Sequence, residues 1–405
     1  MDVDVRPCAS PEEVKHAIAP IAYYFGRSAP DENLAERLTR VLPAQRVYAA
    51  WESGRAVGGL GAFPFQLTVP GGRVPAAGVT IAGVLPTHRR RGLLREMMRL
   101  QLDASHARDE PVACLWATEG TIYGRFGFGL ASFIAEIDLA RERSAFHAPF
   151  STSGHVRLVP LVSAEELIAP IYEGVAVETP GMFARSSTWW QARTLDDPEW
   201  RRGPNGDLQC AVLENEGPPT AYALYRMNSS VERRLQIGSV AVIEAVGVSP
   251  EANCAIWRYL LDIDWMARVK AWPLPLDHPL LLLLADPRRL GFTLRDGVWV
   301  RLLDIKTALS ARSYQLQGSV VIEVIDEFCP WNAGRWRIGS AGVERTDEAP
   351  ALRCDASVLG SVYLGGFTWT QLARGLRVQE LIRGATAHAD SVFRVTSAPW
   401  CPEIF

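Results

Sequence analysis

From Val79 to Leu85 every residue is small or apolar, and the alternating sets Val79-Ile81-Gly83-Leu85 and Thr80-Ala82-Val84 give two apolar faces. That pattern predicts a strand buried on both sides. Pro86 has no N–H to give to a ladder and ends it. The period then changes. Leu93, Leu94, Met97, Met98, Leu100 and Leu102 cover a wide helix face, and Val112–Ala117 reads as a strand again. The centre of this region is therefore a strand, a short loop over Arg89–Gly92 and a helix packed into a sheet.

Upstream, Ser10-Pro11-Glu12-Glu13 starts a helix, with a capping serine, a proline in the first turn and two acids facing the dipole. A second helix is expected through Asn33–Leu42, strands over Val47–Trp51 and Ala56–Phe65, and a hairpin turn at Pro70-Gly71-Gly72. The aromatic cluster Tyr23-Tyr24-Phe25 suits an acceptor pocket or ordinary core, and composition favours core. Downstream, Thr121–Gly129 predicts a short helix carrying Tyr123, a left-handed Gly127 and a strand from Phe128.

The strand pattern stops around Ala140–Ser151 and restarts at Val156–Leu161. A helix from Ser163, strands at Leu208–Leu213, Ala221–Met227 and Ser239–Val248, and a helix from Ser249-Pro250-Glu251 through Trp265 follow. This run repeats the first in outline, but Val248–Asn253 has neither basic cluster nor glycine where the first has its arginines. A third run has Trp299–Asp304, a helix at Ile305–Arg312, strands at Ser319–Asp326, Gly334–Gly339 and Ala351–Asp355, and a helix through Leu359–Leu372. Three domains are expected, over residues 1–145, 146–295 and 296–405, in line with the length of 405 residues.

Composition narrows the class. Hydrophobic residues make up 48% and charged residues 21%, as in a soluble globular protein. The net charge of −3 argues against general nucleic-acid binding, which needs an extended basic surface. The seven cysteines are scattered with no Cys-x-x-Cys spacing, so neither a disulfide scaffold nor a metal site is implied, and reduced thiols in a cytoplasmic protein fit best. The acidic start MDVDVRP lacks the basic residues of a signal peptide, and the longest apolar run, Leu280–Ala285, is too short to cross a bilayer.

The candidate chemistry lies where the strand gives way to the helix. A helix start presents N–H groups and the positive end of its dipole, and Arg89-Arg90-Arg91-Gly92 adds charge and close backbone approach, a combination suited to a pyrophosphate. The string Pro86-Thr87-His88-Arg89-Arg90-Arg91-Gly92-Leu93-Leu94-Arg95 resembles the acetyl-coenzyme A loop of the GNAT acetyltransferases, Arg/Gln-x-x-Gly-x-Gly/Ala. Leu94 departs from that pattern but is normal in the Eis-like (enhanced intracellular survival) branch, and Tyr-Gly-Arg-Phe-Gly at Tyr123–Gly127 is close to the Eis-like form.

The resemblance covers the whole chain. It implies an α/β (α+β) protein with tandem GNAT-like domains, the second degenerate, followed by a sterol-carrier-like α/β domain. It further implies an N-acetyltransferase that uses acetyl-coenzyme A as co-substrate, needs no metal, and acts on small polycationic amines such as aminoglycosides as a homo-oligomer, a hexamer, without nucleic-acid or membrane partners. Carried over residue by residue, Arg89, Arg90, Arg91, Gly92, Leu93, Leu94 and Arg95 hold the pyrophosphate, and Ala82, Gly83 and Val84 bond the pantetheine. Thr118 and Glu119 line the site, and Tyr123 is the general acid. The carboxylate of Phe405, behind two prolines at the end of the chain, is the general base. Two rival classes stay open: an acetyltransferase of protein lysines or N-termini, and a non-enzymatic acyl-coenzyme A or lipid carrier.

Overall fold

The computed structural model describes residues 3–26, 32–152, 154–232 and 234–405. They form two compact units. The first comprises Met1–Ser132, Gly297–Thr396 and Ile404–Phe405, and the second Phe133–Asp296 and Ser397–Glu403.

The first unit begins with β1 (Asp4–Pro7) and α1 (Pro11–Tyr24). As expected, Ser10 caps α1, its hydroxyl accepting the Glu13 N–H. Then come α2 (Glu32–Val41), β2 (Val47–Glu52), β3 (Arg55–Val69), β4 (Gly72–Val84), α3 (Leu93–Ala107), β5 (Val112–Trp116) and β6 (Gly129–Leu130). The sheet runs β1-β2-β3-β4-β5, then Val298–Leu302 from far along the chain, then β6. β4 and β5 are parallel and joined through α3, whose Leu93, Met97, Met98 and Leu102 are buried. Their pairing covers only Ala76–Val79 opposite Val112–Leu115. On its other side β4 carries a bulge against β3, where the register steps from Gly61↔Thr80 to Gly59↔Gly83. Ile81 lies in that bulge with φ +49, a costly conformation for a β-branched residue, and the strand turns away from β5 there.

The second unit contains β7 (Phe133–Ala140), β8 (His155–Val159), α4 (Leu161–Ala176), α5 (Ser187–Trp189), α6 (Glu199–Arg202), β9 (Gln209–Glu214) and β10 (Ala221–Asn228). It continues with β11 (Val231–Glu232), β12 (Leu235–Gln236), β13 (Gly238–Gly247), α7 (Pro250–Asp262), β14 (Met266–Leu274), α8 (Leu280–Leu283) and β15 (Thr293–Asp296). Its main sheet runs β15-β7-β14-β13-β10-β9-β8. Here β13 and β14 are the parallel pair, joined through α7, so the repeat seen in the sequence is a repeat of topology. The chain enters this unit at Phe133 rather than near residue 145, because β7 pairs with β14 and β15. α4 starts two residues before Ser163, whose hydroxyl turns back to the Pro160 carbonyl. α7 ends at Asp262, leaving Trp265 exposed.

The rest of the first unit is β16 (Val298–Leu302), α9 (Ile305–Ser310), β17 (Ser319–Ile325), β18 (Gly334–Gly339), β19 (Gly342–Arg345), β20 (Leu352–Asp355), α10 (Ala356–Tyr363), α11 (Trp369–Arg374), β21 (Val378–Glu380) and α12 (Ala385–Val392). β17–β21 form a separate sheet in the order β19-β18-β17-β20-β21. β16 does not open this portion as a strand of its own; it lies antiparallel between β5 and β6 and completes the first sheet. Arg301 of β16 is fully buried, and its Nη2 lies 2.8 and 2.6 Å from the two carboxylate oxygens of Asp326. No helix among the described residues is long and apolar enough to cross a membrane.

Asp326→Ala would leave the Arg301 guanidinium buried without its carboxylate. It should destabilise the first unit by about 3–5 kcal/mol in chemical denaturation, the cost of removing one partner from a buried pair.

Candidate active site

Because β4 and β5 are parallel, the loops that follow them emerge at the same end of the sheet. After β4 the chain makes a tight turn over Pro86–His88, passes Arg90 at φ +63 and Gly92 at φ +84, and enters α3. Gly92 is the N-cap, and its left-handed backbone is the reason a glycine stands there. A β-carbon at Gly92 would meet no atom within 4 Å, so the mouth of the loop is open. The first N–H groups of a helix have no partner within it, and at this mouth they belong to Leu93, Leu94 and Arg95. Leu93 is buried and Leu94 half-buried, so what these two present at the mouth of the loop is backbone rather than side chain. Leucine side chains facing the core are thus compatible with the anion loop at both positions.

The three arginines differ. Arg89 and Arg90 are exposed, whereas Arg91 Nη1 lies 3.1 Å from Glu52 Oε1. His88 Nε2 lies 2.8 Å from the other oxygen of the same carboxylate. These two partners, His88 first, hold the Glu52 carboxyl below its usual range. Glu52 thus ties the loop to the β2–β3 turn, a role that nothing in the local sequence signals. Arg95 lies with its guanidinium 5.4 Å from the centre of the Phe328 ring.

The strand edge beside the loop is set by register. Leu85 N–H donates to Val57 C=O at 2.9 Å, and alternation along an antiparallel pair turns the N–H and C=O of Val84 to the opposite edge. That edge faces the side where β5 has already left; Val84 turns its backbone groups to it, while Gly83, one residue before, pairs with Gly59 of β3. The Tyr24 hydroxyl donates to Val84 C=O at 2.7 Å. Tyr23, Tyr24 and Phe25 are 55%, 46% and 67% exposed, which excludes the core reading of that cluster.

Tyr123 approaches from β5. Thr118 and Glu119 follow the strand and are exposed, with the Thr121 hydroxyl 3.3 Å from Glu119 Oε1. Tyr123 sits at the cap of a short turn, Gly124–Phe126, rather than inside a helix, and Gly127 is left-handed as expected. Its side chain is only 5% exposed. Burial pushes its phenol above the ordinary value of 10, a hydrogen bond with Thr118 pulls it back, and the Glu119 charge adds to the rise. The turn is braced from the C-terminal portion of the same unit: a β-carbon at Gly129 would lie 1.8 Å from the Ser357 carbonyl oxygen of α10.

Phe405 is half-buried, its ring edge-on to Phe65 of β3 at 4.8 Å. The Phe65 ring in turn covers Gly78, one residue before the β4–β5 pairing ends.

Comparison with known proteins bears on the family and the fold. Residues 4–131 and 181–302 each match an acetyltransferase (GNAT) domain family, and residues 305–402 match a sterol carrier protein domain family. An uncharacterized N-acetyltransferase of Streptomyces coelicolor is 41% identical over 93% of each chain. The N-acetyltransferase Eis of Mycobacterium tuberculosis is 37% identical over 78% of this chain and 77% of its own. The crystal structure of Eis1 from Mycobacterium abscessus superposes with a TM-score of 0.86 and 34% identity, with both chains fully covered. A GCN5-related N-acetyltransferase from Anabaena variabilis, 21% identical with a TM-score of 0.84 over both full chains, shares the fold.

The fold and site define an acetyl-coenzyme A-dependent N-acetyltransferase with tandem GNAT domains and a sterol-carrier-like ending. Within that class, the chain belongs to the Eis family of N-acetyltransferases.

Replacing Arg90 by Ala together with Gly92→Val removes a charge and places a β-branched residue at φ +84. Acetyl-coenzyme A affinity measured by calorimetry should fall at least about tenfold, and unchanged affinity would remove this loop from the coenzyme site.

Proposed function

We propose that the protein transfers an acetyl group directly from acetyl-coenzyme A to an amine of a small polycationic acceptor, of the aminoglycoside kind, with both substrates bound together. The observation that carries this reading is the convergence of three features where β4 and β5 part: the arginine loop, the Val84 edge and a buried, protonated Tyr123. Exposed tyrosine and phenylalanine faces at the end of α1, next to Val84, suit a cationic acceptor. The physiological assembly is read as a homohexamer from the family, and the site of action as the cytoplasm from the scattered cysteines.

In this mechanism the N–H groups that open α3, with the side chains of Arg89, Arg90, Arg91 and Arg95, hold the pyrophosphate. Gly92 shapes the approach, and Ala82, Gly83 and Val84 bond the amides of the pantetheine arm. The Val84 N–H donates to the thioester carbonyl, stabilising the charge that develops on its oxygen as the amine attacks. An amine in water is mostly protonated, so a base must first take its proton, and the Phe405 carboxylate does so directly or through a water. Tyr123 then gives its proton to the departing thiolate, with Thr118 and Glu119 lining the position of its hydroxyl. A phenol whose pKa is raised stays protonated at every pH below that raised value. The acid form of Tyr123 is therefore present throughout the neutral range and is lost only above the ordinary tyrosine value.

The test is purified enzyme with acetyl-coenzyme A and a panel of amines, following thiol release. Aminoglycosides should be acetylated, and turnover on lysine peptides alone would replace this acceptor class with a protein one. Tyr123→Phe keeps shape and removes one hydroxyl, so kcat should fall by about 10²-fold with little change in coenzyme affinity. Normal turnover would return the tyrosine to packing. Amidation of the Phe405 carboxylate, which removes only charge, should lower kcat by on the order of 10²–10⁴-fold; a fully active amide would exclude the terminal base.

A further inference from the structure

The second unit contains a strand cleft built like the first. β13 pairs with β14 only over Gly238–Val242. Against β10 the register steps from Tyr225↔Val242 to Leu224↔Glu244, so Ile243 is an extra residue at the parting point, as on β4 in the first unit. The loop that follows is different. Ser249 caps α7, its hydroxyl accepting the Ala252 N–H, and Pro250 takes the first helical position, so two of the groups an anion would use are already satisfied or absent.

Beyond the parting point lies a stretch of the chain's own C-terminal segment. The Ala398 N–H donates to Asp277 Oδ2 at 3.0 Å, and the Trp400 N–H to the Pro180 carbonyl at 2.8 Å. The Trp400 indole N–H donates to the Pro273 carbonyl of β14 at 3.1 Å, and its ring packs with Tyr222, Leu224 and Val246. Glu403 Oε2 lies 3.1 Å from Arg185 Nη2 and accepts the Trp189 indole N–H at 2.8 Å and the Thr194 hydroxyl at 3.3 Å. The Arg185 side chain is 1% exposed and forks onto Glu244 of β13 at 2.9 and 2.7 Å, while the Tyr222 hydroxyl also donates to Glu244. The segment therefore reaches both strands that part: β14 through Trp400, and β13 through Glu403 and Arg185.

Charge supports a built site. Arg185 and Glu244 balance each other, and Arg193, whose Nε is 3.9 Å from Glu403 Oε1, brings a second positive charge that Glu403 matches. The space left beside the segment, lined by Arg185, Arg193, Glu244, Pro402 and Glu403 among others, is about 160 Å³. That is below the range of cavities that hold cofactor-sized ligands.

We propose that Trp400–Glu403 is the resident ligand of the second strand cleft, docked by Glu403 on Arg185, so that this cleft is filled by the chain itself and takes no coenzyme.

Cys401 reports on docking independently of activity. It is 1% exposed, with its Sγ 3.2 Å from the Glu403 carbonyl oxygen, and Cys210 and Cys254 of the same unit are also buried. In the full-length protein, Glu403→Ala should raise the rate of Cys401 alkylation, mapped by mass spectrometry, at least about tenfold while Cys210 and Cys254 keep their native rates. Glu403→Gln, whose amide oxygen still accepts from Trp189 and Thr194, should give a smaller increase. Native protection of Cys401 in Glu403→Ala would overturn the docking. Equal acceleration of all three cysteines in both variants would also overturn it, since Glu403 would then be a general folding residue.

Discussion

Where β5 stops pairing with β4, after Val79, β4 is left with backbone groups that need partners outside the sheet. That parting is the constraint on which the rest of the site depends. It is made by one extra residue on β4 opposite β3, and it holds Ile81 at φ +49, a conformation that costs on the order of 1–3 kcal/mol. Pairing to β3 on both flanks, at Thr80 and Gly83, keeps the strain in place. The Tyr24 hydroxyl takes the Val84 carbonyl, and the Val84 N–H is turned to the same edge for a ligand. An edge of this kind in a folded domain is a ready-made site for an amide-bearing molecule, which is what the arm of the coenzyme is.

The sterol-carrier-like portion contributes to that site through packing. The strand just before it, β16, sits between β5 and β6, so the turn that carries Tyr123 is sewn to that strand. Phe328 packs under α3, with the Arg99 guanidinium 3.7 Å from its ring and donating to its backbone carbonyl. His106, at the end of α3, stacks on Trp331 at 4.8 Å. Both ends of the helix that opens at the arginine loop, and the tyrosine turn beside it, are therefore held from the same quarter. Preorganisation of this kind matters for a catalyst because a small error in the placement of an acid or a donor is costly in rate.

The two strand clefts show how one topology serves opposite ends. The first is basic at its mouth, where the Glu52 carboxylate ties the loop down through His88 and Arg91 without engaging Arg89 or Arg90. The second has buried its charges in matched pairs and has capped its helix with a serine side chain. Exposed helix N–H groups and unbalanced arginines favour a mobile anion; satisfied N–H groups and balanced pairs favour a fixed polypeptide.

Local pattern alone was enough for the existence of the strand before Pro86, the helix of Leu93, Met97, Met98 and Leu102, the Ser10 cap and the left-handed Gly127, because each rests on neighbours in sequence. It was not enough for the burial of that strand, expected on both sides: Thr80, Ile81, Ala82, Val84 and Leu85 are only half-buried, because β5 pairs no further than Val79. The motif Arg89–Gly92 and the phrase around Tyr123 were legible for the same reason, and they led to the family. The tertiary structure alone decided what depends on contacts across tens or hundreds of residues. Glu52 reaches Arg91 across 39 positions and Tyr24 reaches Val84 across 60, and neither pairing leaves a periodic trace. The cluster Tyr23-Tyr24-Phe25 reads as core by composition and is exposed, since composition reports how apolar a residue is but not whether another element covers it. β16 completes the first sheet although it lies nearly two hundred residues beyond β5, because hydrogen-bonded edges choose partners by geometry and not by distance along the chain.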